Sequence, residues 1–119
     1  EALAVIADPR FAAVFAPGSR AETPIVGEVA GHRVSGVVDR LVVTEREVLI
    51  LDFKTDRPAP ASAAGIDASY LAQLGLYRTI LTRAFPGRAI RCALLWTEAP
   101  ALMEADAAAM EQAVAALIS

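Results

Sequence analysis

Two aspartates interrupt the most apolar part of this 119-residue chain: Asp39 in Val-Val-Asp-Arg-Leu and Asp52 in Ile-Leu-Asp-Phe-Lys-Thr. Ionised carboxylates seldom enter a buried sheet without a partner, because stripping water from a charge is costly. Residues 34–43 and 47–55 are rich in β-branched and apolar types and predict two strands. Thr44-Glu45-Arg46-Glu47 is short enough to close them into a hairpin. A symmetric turn sets Val43 opposite Val48, Leu41 opposite Ile50 and Asp39 opposite Asp52. Opposed residues share a face, with Cβ atoms about 4.5–5.5 Å apart. Two carboxylates at that spacing call for a shared proton or a divalent cation, and Mg²⁺ and Mn²⁺ are hard ions that favour carboxylate oxygen. Lys54 lies two residues beyond Asp52, so the strand period places it on the same face. Ten of the eleven basic residues are arginine and Lys54 is the only lysine. A compact, titratable ammonium suits orienting or deprotonating a water.

A third acid extends the cluster. Residues 22–30 predict another strand, with Ala30-Gly31-His32-Arg33 turning it into the next. In the register this turn predicts, Pro24 opposes Asp39 and Glu22 is a diagonal neighbour. Diagonal pairs stand about 7–8 Å apart, within reach of one metal. Pro24 also marks an edge strand. A plainer explanation of the dipeptides stays open: a strand-end Asp with Lys two residues on forms solvated ion pairs, and Asp39–Arg40 suits a surface pairing of little energy.

The elements that must position these groups are legible in outline. Residues 2–16 predict helical turns broken at Asp8-Pro9, with Phe11, Val14 and Phe15 as an apolar stripe. Three strands follow, at 22–30, 33–43 and 47–55. Residues 56–68, rich in Pro, Ala and Gly, predict an extended loop beside the acids. The helix predicted over 69–84 is capped by Ser69, carries Leu71, Leu74, Leu76, Ile80 and Leu81, and stops at Pro86-Gly87. It presents Gln73 and Tyr77 at i, i+4 on one face. A strand at 89–97 and an alanine-rich helix at 104–118 complete an α/β (α+β) order, α-β-β-β-α-β-α. His32 reads as a solvated turn residue, and Trp96 and Cys92 as packing residues.

Composition bounds the function. The length fits one domain, too small for a helicase motor or a second lobe. Net charge is −3 and the pI is near 5.1, which argues against autonomous tight binding to nucleic acid. Mean hydropathy is +0.45, yet no apolar run approaches the roughly 18–20 residues of a membrane helix. The start, Glu-Ala-Leu-Ala-Val-Ile, lacks a basic leader, and the single cysteine agrees with a cytoplasmic setting. No phosphate-binding glycine loop, nucleophile elbow or zinc spacing occurs.

Three motifs in order carry a resemblance: Gly36-Val-Val-Asp39-Arg40, Asp52-Phe53-Lys54-Thr55 and Gln73-Leu-Gly-Leu-Tyr77-Arg78. Together they resemble the RecB-type branch of the PD-(D/E)XK nucleases, from Glu22 to Trp96. Val-Ser-Gly-Val-Val-Asp-Arg-Leu, Tyr70-Leu-Ala-Gln-Leu-Gly-Leu-Tyr and Leu-Leu-Trp96-Thr-Glu-Ala-Pro look most like the C-terminal nuclease domain of alphaproteobacterial AddA-type helicase–nuclease subunits. The resemblance implies a restriction-endonuclease-like core, a mixed β-sheet flanked by helices. It implies Mg²⁺ (or Mn²⁺) held by Asp39, Asp52 and the Phe53 carbonyl, with Glu22 similar to an upstream acid of many members. Lys54 would orient or activate the attacking water, and Gln73 and Tyr77 would support the site and touch the nucleic-acid backbone. The implied activity is Mg²⁺-dependent exonucleolytic hydrolysis of unwound DNA, leaving a 5′-phosphate, in double-strand break repair. The implied partners are DNA, helicase domains of the same parent chain and an AddB-like second subunit, with residues 1–119 one nuclease domain of a longer protein. A non-catalytic scaffold on the DNA path, or a stand-alone RecB-like nuclease, are the other expectations; a single cysteine excludes the iron–sulfur cluster that the latter often carries. One departure stands out. RecB-type nucleases usually add a metal-ligand histidine upstream, and no histidine precedes Glu22. On that ground the isolated domain is expected to bind metal weakly and to cut slowly or not at all.

Overall fold

A computed structural model describes residues 19–55, 60–97 and 101–118. The helical turns predicted over 2–16 lie outside the described residues, as does part of the predicted loop 56–68. The elements run β1 (Ser19–Val29), β2 (His32–Val43), β3 (Glu47–Lys54), α1 (Ala68–Ala84), β4 (Ala89–Trp96), β5 (Ala101–Glu104) and α2 (Ala107–Ile118).

The five strands lie side by side in chain order. β1, β2 and β3 form an antiparallel meander, because two short turns leave no room for a crossover. α1 supplies the crossover that lets β4 run parallel to β3, with Asp52 beside Leu94 and Lys54 beside Trp96. β5 returns antiparallel on β4. Among the described residues the result is a mixed sheet with two α-helices, the α+β class expected.

Three boundaries differ from expectation. The β1–β2 turn is two residues long: Val29 pairs with His32, and Ala30 and Gly31 take φ of 50° and 81°. Left-handed values at both central positions define a primed turn, whose twist matches that of the strands. Glu22, not Pro24, therefore stands across from Asp39. Residues 101–104, partly assigned to the last helix, instead form β5. Asp106 then starts α2, its Oδ2 accepting the Ala109 N–H at 3.0 Å. The cap of α1 is Asp67, whose Oδ1 accepts the Ser69 N–H at 2.8 Å, while Ser69 lies inside the helix.

α1 covers one face of the sheet. Ile25, Val29, Val38, Leu41, Val48, Ile50, Cys92, Leu94 and Trp96 meet Leu74, Tyr77, Ile80 and Leu81 of α1 there, and Met110 of α2 closes the core. Leu51, Ala93 and Leu95 are buried in a separate cluster with Leu49 and Phe53, as the strand alternation requires. Leu71 and Leu76, predicted in the stripe, pack only at its margin. α2 reaches α1 over Gly75, where a Cβ would lie 2.6 Å from Val114 Cγ2 and 3.0 Å from the Met110 carbonyl. Valine is stiff and a carbonyl of a helix cannot yield, so Gly75→Val is expected to cost about 2–3 kcal/mol by overpacking. Urea denaturation measures this, and an unchanged midpoint would refute it.

Candidate metal centre

The β2–β3 ladder pairs Val43 with Val48, Leu41 with Ile50 and Arg40 with Leu51, as the hairpin pattern predicts. It stops one pair short of Asp39 and Asp52. There the carboxylates take over the ladder's role. Asp39 N–H donates to Asp52 Oδ1 at 3.3 Å, and Phe53 N–H donates to Asp39 Oδ2 at 2.7 Å. Each acid is thus held by the main chain of the opposite strand. In a strand the N–H and C=O of one residue point to the same side, so the Phe53 carbonyl faces β2 and the acids. The Lys54 carbonyl faces the other way, accepting the Thr97 N–H at 3.1 Å.

The sheet is distorted at this point. Val38 and Leu41 both enter the α1-side core, three residues apart, so the alternation breaks at Asp39–Arg40. Across from it, Glu22 has φ of 47°, and the β1–β2 pairing skips Glu22 and Asp39 before resuming at Ala21 and Arg40. A left-handed non-glycine residue costs roughly 1–2 kcal/mol, a strain that tends to collect at working sites. Glu22 itself is exposed. Among the described residues no three His, Cys, Asp or Glu side chains gather at metal-holding spacing, so Glu22 does not form a triad with the two aspartates.

Asp52 is 5% exposed, the one buried charged residue among those described. Burial pushes its carboxyl above the ordinary value. The Asp39 N–H works against that shift, the charge of Asp39 adds to it, and Lys54 opposes it. Lys54 reaches toward α1, its Nζ 4.1 Å from the centre of the Tyr70 ring.

Gln73 and Tyr77 come to the same region. Gln73 Nε2 donates to Tyr77 Oη at 3.4 Å. Tyr77 is buried; burial raises its hydroxyl pKa, Gln73 lowers it, and the charge of Asp52 raises it further. The phenol lies against β2 at Gly36, where a Cβ would sit 1.9 Å from Tyr77 Oη. Only a residue without a side chain admits the ring there. Tyr70 is part of a sequence motif quoted above, but its contact with Lys54 was not expected; Tyr70, Gln73 and Tyr77 stand at i, i+3 and i+7. His32 is exposed at the β1–β2 turn, well along the strand from Asp39. Cys92 is buried, and burial pushes its thiol up to about 12, so it stays protonated and inert.

The donor set suits a small hard cation. Two carboxylates each spend one oxygen on a backbone N–H and keep the other. Mg²⁺ is commonly held by one or two carboxylates, with water and substrate phosphate completing its octahedron.

Comparison with known proteins gives the family. Residues 3–118 match the PD-(D/E)XK nuclease superfamily. The crystal structure of SSO0001 superposes with a TM-score of 0.54 at 14% identity, covering 92% of this chain and 54% of that one. The chain thus spans about half of that larger protein, and the likeness is one of fold. Among curated proteins, none matches this sequence. Superfamily members are typically divalent-metal-dependent nucleases. The chain belongs to the PD-(D/E)XK nuclease superfamily.

Proposed function

We propose that this chain is the Mg²⁺- or Mn²⁺-dependent exonuclease domain of an ATP-dependent helicase–nuclease of the AddA type, hydrolysing DNA as a motor unwinds it during double-strand break repair. The observation that carries the nuclease reading is the interlock of Asp39 and Asp52 through each other's strands, with Lys54 beside them. Asp39, Asp52 and the Phe53 carbonyl would hold the cation. When bound, it sets positive charge against the scissile phosphate and polarises water. Lys54 orients the attacking water and stabilises the charge that develops on the phosphate. Gln73 and Tyr77 support the pair from α1 and meet the nucleic-acid backbone.

Support for the helicase–nuclease context comes from the three motifs and from the charge. A net −3 chain does not capture DNA by itself. Delivery by motor domains and an AddB-like subunit removes that need. In the full complex, alanine at Asp52 or at Lys54 is expected to abolish cleavage and leave ATP-driven unwinding intact. Cleavage retained by both variants would sink the assignment. The alternative reading is a non-catalytic module on the DNA path. Calorimetric titration with Mn²⁺ separates the two, since a DNA-path module has no reason to bind it.

A further inference from the structure

Tyr70 begins the α1 stripe that continues through Gln73 and Tyr77, and its ring meets Lys54. A lysine has a long, flexible stem and a compact charge, so a free ammonium on this face would settle on the nearest carboxylate. Asp52 is two residues away on the same strand. Among the described residues, however, Lys54 forms no ion pair with Asp39 or Asp52; the ion pairs recorded are Arg78–Glu111, Arg91–Glu47 and Arg91–Glu104. Its Nζ lies instead over the Tyr70 ring, 4.1 Å from the centroid. That is well inside the roughly 6 Å over which a ring face attracts a cation. Tyr70 itself is half-buried at the edge of the core, so the ring is held by packing.

We infer that Tyr70 is the positioning residue for Lys54: its ring face anchors the ammonium and keeps it from collapsing onto the aspartate pair. A ring attracts the charge without a lone pair aimed at any one N–H, so the ammonium keeps donors for water and phosphate. The carboxylates, in turn, stay open to a cation. The consequence for cleavage rests on the nuclease reading; the contact between ring and ammonium does not.

The sole lysine makes the contact directly measurable, since lysine-selective ¹³C labelling yields a single ε-CH₂ signal from this chain. In the wild type and in Tyr70→Phe that signal is expected upfield, in the ring's shielding cone. In Tyr70→Leu it is expected at the position of a free lysine, with the rest of the spectrum still dispersed. A free-lysine signal in the wild type overturns the proposal, whatever the nuclease assay shows. In Mn²⁺-supported cleavage of a short single-stranded DNA by the full complex, Tyr70→Leu is expected to lower kcat about three- to thirtyfold with KM little changed, and Tyr70→Phe to restore it. A leucine variant that cleaves at the wild-type rate also overturns it. If Lys54→Ala leaves cleavage unchanged, the nuclease role of Lys54 fails, while the ε-CH₂ signal still decides the contact.

Discussion

Asp52→Asn is expected to abolish Mn²⁺-supported cleavage in the full complex and, in this domain by itself, to raise thermal stability at neutral pH. The two effects share one cause. An asparagine oxygen still accepts the Asp39 N–H that Asp52 accepts at 3.3 Å, and its NH₂ can donate to the Asp39 carboxylate. The hairpin end therefore closes as before. What disappears is the negative charge that a cation needs. Losing several kcal/mol of transition-state stabilisation corresponds to a rate loss on the order of 10³-fold.

The stability gain follows from the raised pKa of Asp52. A carboxyl whose folded-state pKa lies above its unfolded one carries no penalty where both states are protonated. The penalty sets in as pH rises from the ordinary value of 3.8 through the raised one, and it is complete above that. The contribution of Asp52 to the stability of the metal-free wild type thus falls across this window, and Asp52→Asn lacks that loss. Removing one of two opposed like charges is worth about 0.5–1 kcal/mol, or roughly 2–5 °C in Tm. Calorimetric melts at pH 3 and pH 7, without metal, check the sign: the variant should gain only at the higher pH. A variant less stable than wild type at pH 7 would show that Asp52 is held by favourable ionic contacts and not against its own burial. For the same reason Mn²⁺ affinity in the wild type should strengthen as pH rises through that window, because the ligand must lose its proton.

Gly36→Ala is the second large effect, and it acts at a distance from the acids. The new methyl would lie 1.9 Å from Tyr77 Oη, 2.8 Å from Cζ and 3.1 Å from Cε1. Tyr77 is 4% exposed and packed on all sides, so the ring cannot swing aside cheaply. Overpacking of this kind costs about 2–3 kcal/mol. The ring's retreat carries Gln73 with it, so cleavage is expected to fall together with stability. Tyr77→Phe removes the atom in worst conflict while leaving the ring. The double variant Gly36→Ala/Tyr77→Phe should recover part of the stability, because the Cζ contact stays tight. A double-mutant cycle measured by urea denaturation gives the coupling directly. Strict additivity would mean that the phenol does not rest on Gly36.

The hairpin that carries the acids was readable from the residues alone. Its period of two and its short polar turn leave one register that buries Val48, Ile50 and Leu41 together, and that register brings Asp39 to Asp52. The β1–β2 register was not readable in the same way. It depends on Ala30 accepting a left-handed φ, which sequence reasoning grants to Gly31 alone. β5 was hidden because Ala-Leu-Met-Glu are all good helix formers; its pairing with Ala93–Trp96 is a tertiary choice that overrides propensity. The cap of α1 was ambiguous in kind, since Asp67 and Ser69 are both strong capping residues two positions apart. The spacing of Tyr70 with Gln73 and Tyr77 was legible but its contact with Lys54 was not, because spacing along a helix does not say which strand residue meets the ring. That contact required both the strand end and the helix start in space.

The carboxylates that close the β2–β3 ladder give the site an uncommon kind of fixed length. Because each acid bonds the opposite backbone, side-chain reach and strand spacing are one measurement there. Aspartate matches it, and glutamate, one methylene longer, overshoots the N–H it must meet or pushes the strands apart. The pair is therefore a gauge of strand separation, set by main-chain stiffness as much as by side-chain rotamers.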